Sequence, residues 1–451
     1  MYLQRFRLGK SSSQVEAVLR FMVRSASDNI LVYRRLLAET GVDAHAFRGT
    51  KDLEQLPVVD KSALLHDVTI DQLLHRRSKP ARCVRVHTSG YTGVPIDIYM
   101  SWAEAAYRSW NVVRAWRRLA KLPTLFRLAD LGTWVGGEPG KRVLNRAGIS
   151  VLRIAQALPV EQQIDMLRDF VPHVISGPPT MLELLAWGMR DRGIAFDQLR
   201  LVASRGEVLF DQVRKELEGT FKCCVGDFYN CEEIGNVATQ CPRDPHVFHV
   251  NTDTCLVEAV GADGRHLSSG EEGRLLLTSL TNCTMPLIRY EIGDRGTVLG
   301  VGERQTCSCG SRHPQMRLSG GRTDDYIYFP DGRCASPRLV GTSIYRVALE
   351  TSKPEQRGWL FRGFQVVQDA REHLAIRVIP ETEDLRDLET RIQRAVKALH
   401  SGFRTTVSFV EEIPLEPSGK LKKVIRLVDP PSDDGEVRMT QEFGKSGGHN
   451  T

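Results

Sequence analysis

The chain has no apolar run approaching the length that crosses a bilayer, and its start, Met1-Tyr-Leu-Gln-Arg-Phe-Arg-Leu8, lacks the apolar stretch of a secretory leader. Membrane partners are therefore not expected, and a cytoplasmic location is. A long basic run is missing too: 61 basic residues are scattered among 55 acidic ones, for a formal charge of +6. Without a basic face interleaved with aromatics, nucleic acid is not an expected partner, and local basic patches for phosphorylated small molecules suit the balance better. Nor is there a Walker phosphate loop, since no glycine pair is followed directly by Lys and then Ser or Thr. Ten cysteines in a chain of this size point to reduced thiols or metal ligands and away from a disulfide framework.

What is present describes an ordinary globular protein of two or three domains, with 451 residues, 41% of them hydrophobic and 26% charged. Val15, Val18, Leu19, Met22 and Val23 line one helical face, and a second helix begins near Ile30. Asp60 or Ser62 caps a short helix beyond Pro57. The helix from Ala103 to Leu119 carries Trp102, Trp110 and Trp116, read as core packing. From about 124 to 260, apolar strands alternate with helices, the rhythm of a mainly parallel sheet with ligand sites at the carboxyl ends of its strands. The runs at Leu256 and Gly273 read as antiparallel strands, and residues beyond Asp325 as a small α+β unit. The fold expected is α/β: a large multi-layer domain over 1–321 with mainly parallel sheets, a hinge at 322–325, a small α+β lid over 326–430, and a disordered tail over 431–451.

One stretch organises the rest. His87-Thr-Ser-Gly-Tyr-Thr-Gly-Val-Pro95 joins two β-patterned runs, Cys83–Val86 and Ile96–Tyr99. Gly90 and Gly93 let backbone approach an anion, and Thr88, Ser89 and Thr92 offer hydroxyls to it, so the turn is suited to holding phosphate. In order along the chain come Asp52-Leu-Glu-Gln-Leu-Pro-Val-Val-Asp-Lys61, that turn, Ser204-Arg-Gly-Glu207, Asp227-Phe-Tyr-Asn-Cys-Glu-Glu-Ile-Gly235, Pro286-Leu-Ile-Arg-Tyr-Glu-Ile-Gly-Asp294, Gly321-Arg-Thr-Asp-Asp325 and Pro417-Ser-Gly-Lys420.

Taken together these motifs resemble the adenylate-forming enzymes, and within them the phenylacetate-CoA ligase-like branch, over nearly the whole chain. The resemblance implies ATP- and Mg²⁺-dependent activation of a carboxylic acid, by default aromatic or heteroaromatic, to an acyl-adenylate. Transfer to a thiol follows, usually that of coenzyme A. It implies Thr88, Ser89, Gly90, Thr92 and Gly93 at the phosphates, Glu233 on Mg²⁺, and Asp294 on the ribose hydroxyls. The resemblance further implies Gly206, Glu207 and Tyr229 as the adenine wall, Arg322 as a contact to the nucleotide, Asp324 as the point about which the small domain turns, and Lys420 as the catalytic cation of the first step. A lysine on a mobile domain can reach α-phosphate and attacking carboxylate together, where charge must be neutralised. The acyl pocket is expected between Leu131–Gly137 and the Ser176–Pro179 loop.

The chain departs from the family at Tyr91 and Val94, at Arg205, which interrupts what is often a glycine pair, and at Asn230 and Glu232. These leave the acceptor open between coenzyme A and an amine or carrier-protein thiol. A non-catalytic scaffold that keeps the fold is the rival from another class. The branch's pattern Cys…His-Val-Asn…Cys-x-Cys falls on Cys241, His249, Cys307 and Cys309, implying structural Zn²⁺, with His246 as the alternative to His249.

Overall fold

A computed structural model describes residues 10–65, 68–87, 96–132, 142–144 (backbone), 149–299, 306–349, 360–414 and 421–429. The chain forms two compact units, Met1–Leu209 with Glu216–Ser319, and Phe210–Lys215 with Gly320–Thr451. Among the described residues no helix is long and apolar enough to cross a membrane.

The large unit opens with the helix Ser12–Asn29. Ser11 accepts from the backbone of Gln14, whose side chain returns to Ser11, so both orphan donors of the first turn are satisfied. The expected face, Val15, Val18, Leu19, Met22 and Val23, is buried. Asp60, not Ser62, caps the short helix that follows, accepting from the Ala63 amide at 2.7 Å. The helix Trp102–Leu119 is capped by Ser101 and Glu104, and Glu104 also receives the Cys283 amide and the Thr284 hydroxyl. Its buried stripe is Glu104, Tyr107, Asn111, Ala115 and Trp116. Only Trp116 of the three tryptophans is core; Trp102 and Trp110 fall off that stripe and stand 73% and 44% exposed, correcting the expectation for both.

The central sheet has twelve strands. Cys224–Cys231, Leu201–Arg205, Val174–Gly177, Arg127–Gly132 and Ser150–Ala155 lie side by side in that order, each parallel to the next. Parallel neighbours need crossovers, which the helices Val160–Phe170 and Pro179–Asp191 provide. On the far side of Cys224–Cys231 the sheet changes character: Gly235–Gln240 turns back antiparallel, and Phe248–Val250 follows it antiparallel. The sheet then continues through Gln315–Arg322, antiparallel to Phe248–Val250, to the strands Tyr290–Leu299, Glu272–Ser279 and Cys255–Val260, the last three joined as antiparallel neighbours. The parallel half thus presents Leu131-Gly132, Ser176-Gly177 and Ser204-Arg205 at one common edge, the carboxyl ends where ligands bind such sheets. Beneath it, Ala115 and Trp116 pack against Phe126, Val174, Leu201, Ala203 and Phe228.

The small unit carries a four-stranded sheet in the order Arg404–Phe409, His373–Pro380, Phe361–Ala370, Val424–Arg426. Its middle pair is an antiparallel hairpin and both outer strands run parallel to their neighbours. The helix Leu385–Leu399 buries Leu388, Ile392, Val396 and Leu399, one stripe at helical spacing, and Asp384 caps it.

Candidate active site and metal centre

The strand Cys224–Cys231 delivers Tyr229 and the strand Tyr290–Leu299 delivers Asp294, and the two meet: the Tyr229 hydroxyl donates to Asp294 Oδ2 at 2.6 Å. That bond holds the side chain in place, and an ionised carboxylate can accept several hydrogen bonds at once. Glu233 sits in the turn after the same strand, half-buried, with the Tyr290 hydroxyl 3.4 Å from its Oε1. A single carboxylate of this kind suits Mg²⁺, which takes one or two protein oxygens and fills its octahedron with water and phosphate. Gly206, at φ +81, turns the chain at the end of Leu201–Arg205. The next residue, Glu207, accepts from the Thr180 hydroxyl at 2.7 Å and its amide at 3.2 Å, at the start of the helix Pro179–Asp191. A carboxylate there complements the positive end of the helix.

Arg205 crosses the strand ends. Its Nε donates to Ser176 Oγ at 3.0 Å, and its Nη2 to Asp130 Oδ1 at 2.7 Å and to the Leu131 carbonyl at 3.1 Å. Burial opposes its charge, but the Asp130 carboxylate outweighs that and raises the guanidinium above its ordinary range.

Sequence reading singled out Pro286–Asp294 for its aspartate and missed its arginine. Arg289 is buried and uses every guanidinium nitrogen: Nε to Glu258 at 3.0 Å, Nη1 to the Leu56 carbonyl at 2.8 Å, and Nη2 to the Gly264 carbonyl at 2.6 Å. The Val59 amide donates to the Arg289 carbonyl and the Glu291 amide to that of Val59, so the Asp52–Lys61 loop is stitched to the base of the Asp294 strand.

The five phosphate-turn residues Thr88, Ser89, Gly90, Thr92 and Gly93 lie outside the described residues, as do Lys420 and Trp134 to Gly137. The hairpin flanking the turn is described: His87 and Asp97 face each other across it, with Nδ1 and Oδ1 2.8 Å apart, and Arg85 Nε meets the same oxygen at 3.0 Å.

In the small unit, Arg322 ends a strand and Asp324 lies in the turn Thr323–Asp325. That turn is held by Arg426, which donates to the Asp324 carbonyl at 3.2 Å, and by Lys422, 3.4 Å from Asp325 Oδ1. Just before it, Gly320 and Gly321 have φ of +86 and +127, and a Cβ on either would land within 2.2 Å of Arg338 or 2.5 Å of Pro337. Only glycine fits both the angle and the space.

Cys241, His249, Cys307 and Cys309 converge, their four ligand atoms all within 4.8 Å of one another. Cys241 and Cys307 sulfurs are 3.7 Å apart, and His249 Nε2 is 3.2 Å from Cys309 Sγ. Three sulfurs and an imidazole closing on one point form the donor set of a structural zinc site. Burial keeps the His249 imidazole below its usual range, hence neutral, the form that ligates. His246 is exposed and outside the cluster.

The chain matches none of the protein-family models. It is 30% identical over 320 residues to the phenylacetate-coenzyme A ligase of Thermus thermophilus, covering 69% of this chain and 70% of that protein. It is 28% identical over 320 residues to the Escherichia coli enzyme of the same name, covering 68% and 70%. Among solved structures, a 2-hydroxyisobutyryl-CoA ligase in the postadenylation state, in complex with 2-HIB-AMP, superposes with a TM-score of 0.75 at 17% identity, covering 94% of this chain and 91% of that one. An anthranilate CoA ligase in complex with anthranoyl-AMP gives 0.56 at 18% identity, covering 77% and 66%. These structures share the fold.

Proposed function

The chain belongs to the phenylacetate-coenzyme A ligase family, and from that premise we propose that it is an AMP-forming ligase converting a carboxylic acid, aromatic or heteroaromatic, into its coenzyme A thioester. In the first step a carboxylate oxygen of the acid attacks the α-phosphorus of ATP and pyrophosphate leaves, giving the acyl-adenylate. In the second the thiol of coenzyme A attacks the acyl carbon and AMP leaves. Coenzyme A is preferred over an amine or a carrier protein because the relatives are named for it and none for the others.

The observation that carries this reading is the pairing of Tyr229 with Asp294, residues 65 apart in sequence, beside a turn that holds Glu233. Asp294 accepts the ribose hydroxyls, with Tyr229 fixing its rotamer; Gly206, Glu207 and Tyr229 form the adenine wall; Arg322 contacts the nucleotide. Thr88, Ser89, Gly90, Thr92 and Gly93 bind the outer phosphates. Glu233 holds Mg²⁺, which when bound offsets charge at the phosphates. Lys420 neutralises the approach of carboxylate to α-phosphate, and the chain turns about Asp324 between steps. A zinc ion on Cys241, His249, Cys307 and Cys309 is structural, tying the 307–310 turn to the strand Phe248–Val250.

The test is ATP-dependent pyrophosphate release over aryl, heteroaryl and alkyl acids, with and without coenzyme A, in wild type and Lys420→Ala. Acid-dependent release, thioester formation with coenzyme A, and loss of release in the variant are expected. Release without thioester would overturn the acceptor; ATP that neither binds nor reacts would overturn the enzyme.

A further inference from the structure

Along Leu201–Arg205 alternate side chains share a face, and on it Leu201 and Ala203 pack beneath the helix Trp102–Leu119. Val174 and Leu128 do the same on the two neighbouring parallel strands. Two residues further along, the neighbouring strands turn polar on this face, with Asp130 opposite Ser176 and Ser176 opposite Ala203; Arg205 follows Ala203 on the same face, two residues closer to the carboxyl end. Arg205 lies across both neighbours, bonded to Ser176, Asp130 and the Leu131 carbonyl. Those are the two walls, near Leu131 and near Ser176, between which the acyl pocket is expected. The pair is neither sealed nor loose at the surface, its side chains being 29% and 17% exposed. Among the described residues, no partner is recorded for Nη1 of Arg205, the one guanidinium nitrogen left over.

We propose that Arg205 is a specificity residue of the adenylation reaction, its Nη1 donating to a neutral hydrogen-bond acceptor on the acyl portion of the acid, such as a hydroxyl, ether or carbonyl oxygen. This rests on the ligase reading above. A planar guanidinium fixed at Nε and Nη2 holds its remaining N–H groups in a set direction, so recognition costs little further ordering. A second carboxylate on the substrate is refused, because Asp130 at 2.7 Å already neutralises the guanidinium and would repel a further anion. An acid without an acceptor leaves a desolvated donor unmatched, and sites built around such a donor discriminate strongly.

The experiment measures kcat/KM for pyrophosphate release with benzoate and phenylacetate, their hydroxy and methoxy derivatives, and the matching dicarboxylic acids, in wild type, Arg205→Gly and Arg205→Lys. In the wild type, an acceptor-bearing acid exceeds its unsubstituted parent by roughly tenfold to a hundredfold, and the dicarboxylate falls below the parent. Arg205→Gly brings the ratio to about one. Arg205→Lys, which keeps the charge beside Asp130 and carries the test should the glycine variant not fold, loses most of the preference. An unchanged ratio in both variants, parents used as well as substituted acids, or a preferred dicarboxylate would each overturn the proposal. The first two leave adenylation standing; no release with any acid, with ATP binding also absent, defeats adenylation itself and this inference with it.

Discussion

Arg289 and Arg205 each pair with a carboxylate from another strand of the large unit, Glu258 at 3.0 Å and Asp130 at 2.7 Å, yet the two pairs differ in what is left over. Around Arg289 both side chains are sealed, 2% and 5% exposed, and every guanidinium nitrogen is consumed, two of them by backbone carbonyls. Around Arg205 the pair is partly open, and among the described residues one nitrogen is spared. A saturated arginine can only hold the protein together, whereas one with a donor to spare at a ligand-binding edge can also read a ligand. Proximity to a motif does not separate the two, since both arginines lie inside one, Arg289 in Pro286–Asp294 and Arg205 in Ser204–Glu207, where the family pattern is broken.

The most direct way to break this comparison is Arg289→Ala. It leaves buried Glu258 with His266 Nε2, 2.7 Å from its Oε1, and removes the donor from the Leu56 and Gly264 carbonyls, so a loss of about 3 kcal/mol is expected in denaturant unfolding. A loss below about 1 kcal/mol would show that saturation confers nothing.

Lys10 extends the comparison to a cation buried without full compensation. Its amide and Nζ both reach Asp253, but burial outweighs Asp253 and lowers the amine from 10.5 to about 8. Between those values the unfolded chain binds more protons than the folded one, so this group's contribution to stability rises with pH over that window and is flat below it. Relative to Lys10→Met, the wild type should gain on the order of 3 kcal/mol from pH 8 to 10.5, read by unfolding at each pH. Parallel curves would place the amine at its ordinary value.

Tyr229→Phe removes the donor to Asp294 while leaving the ring. The KM for ATP should rise roughly tenfold with little change in melting temperature. A variant that melts early but binds ATP normally would make the pair structural, like Arg289. The smallest effect sharpens the contrast: Asp130→Asn should cost no more than about 1 kcal/mol in unfolding, because its ion pair is partly solvated. A cost equal to that of Arg289→Ala would erase the distinction between the two arginines.

The motifs in order were enough to identify the family, and the alternation of apolar strands with helices from about 124 onward showed the parallel half of the sheet. Residues whose role is set by distant backbone were not legible. Arg289 is defined by carbonyls of Leu56 and Gly264, and a carbonyl has no sequence signature. Arg205 could be seen as a departure, but its bonds to Ser176 and Asp130 depend on which strands are neighbours. The sequence pattern fell on His249 with His246 as the alternative; of the two, His249 lies on a paired strand, opposite Thr239, and joins the three cysteines. Trp102 and Trp110 were misjudged because hydrophobic character was read without the helical angle that separates them from Tyr107 and Asn111. The phosphate turn and Lys420 lie outside the described residues, and their roles rest on sequence pattern.

The Leu56 carbonyl that Arg289 holds lies 233 residues earlier in the chain. A polypeptide emerging from the ribosome therefore has its first helices, with Val18, Leu19 and Met22 prepared for burial, long before the arginine that locks the loop after them exists. These contacts are among the most non-local in the protein, and closing them late exposes an apolar face during the wait. The segment with Val18, Leu19 and Met22 is thus made well before it is secured, and a nascent chain halted short of residue 289 carries that face uncovered, a natural ligand for chaperones.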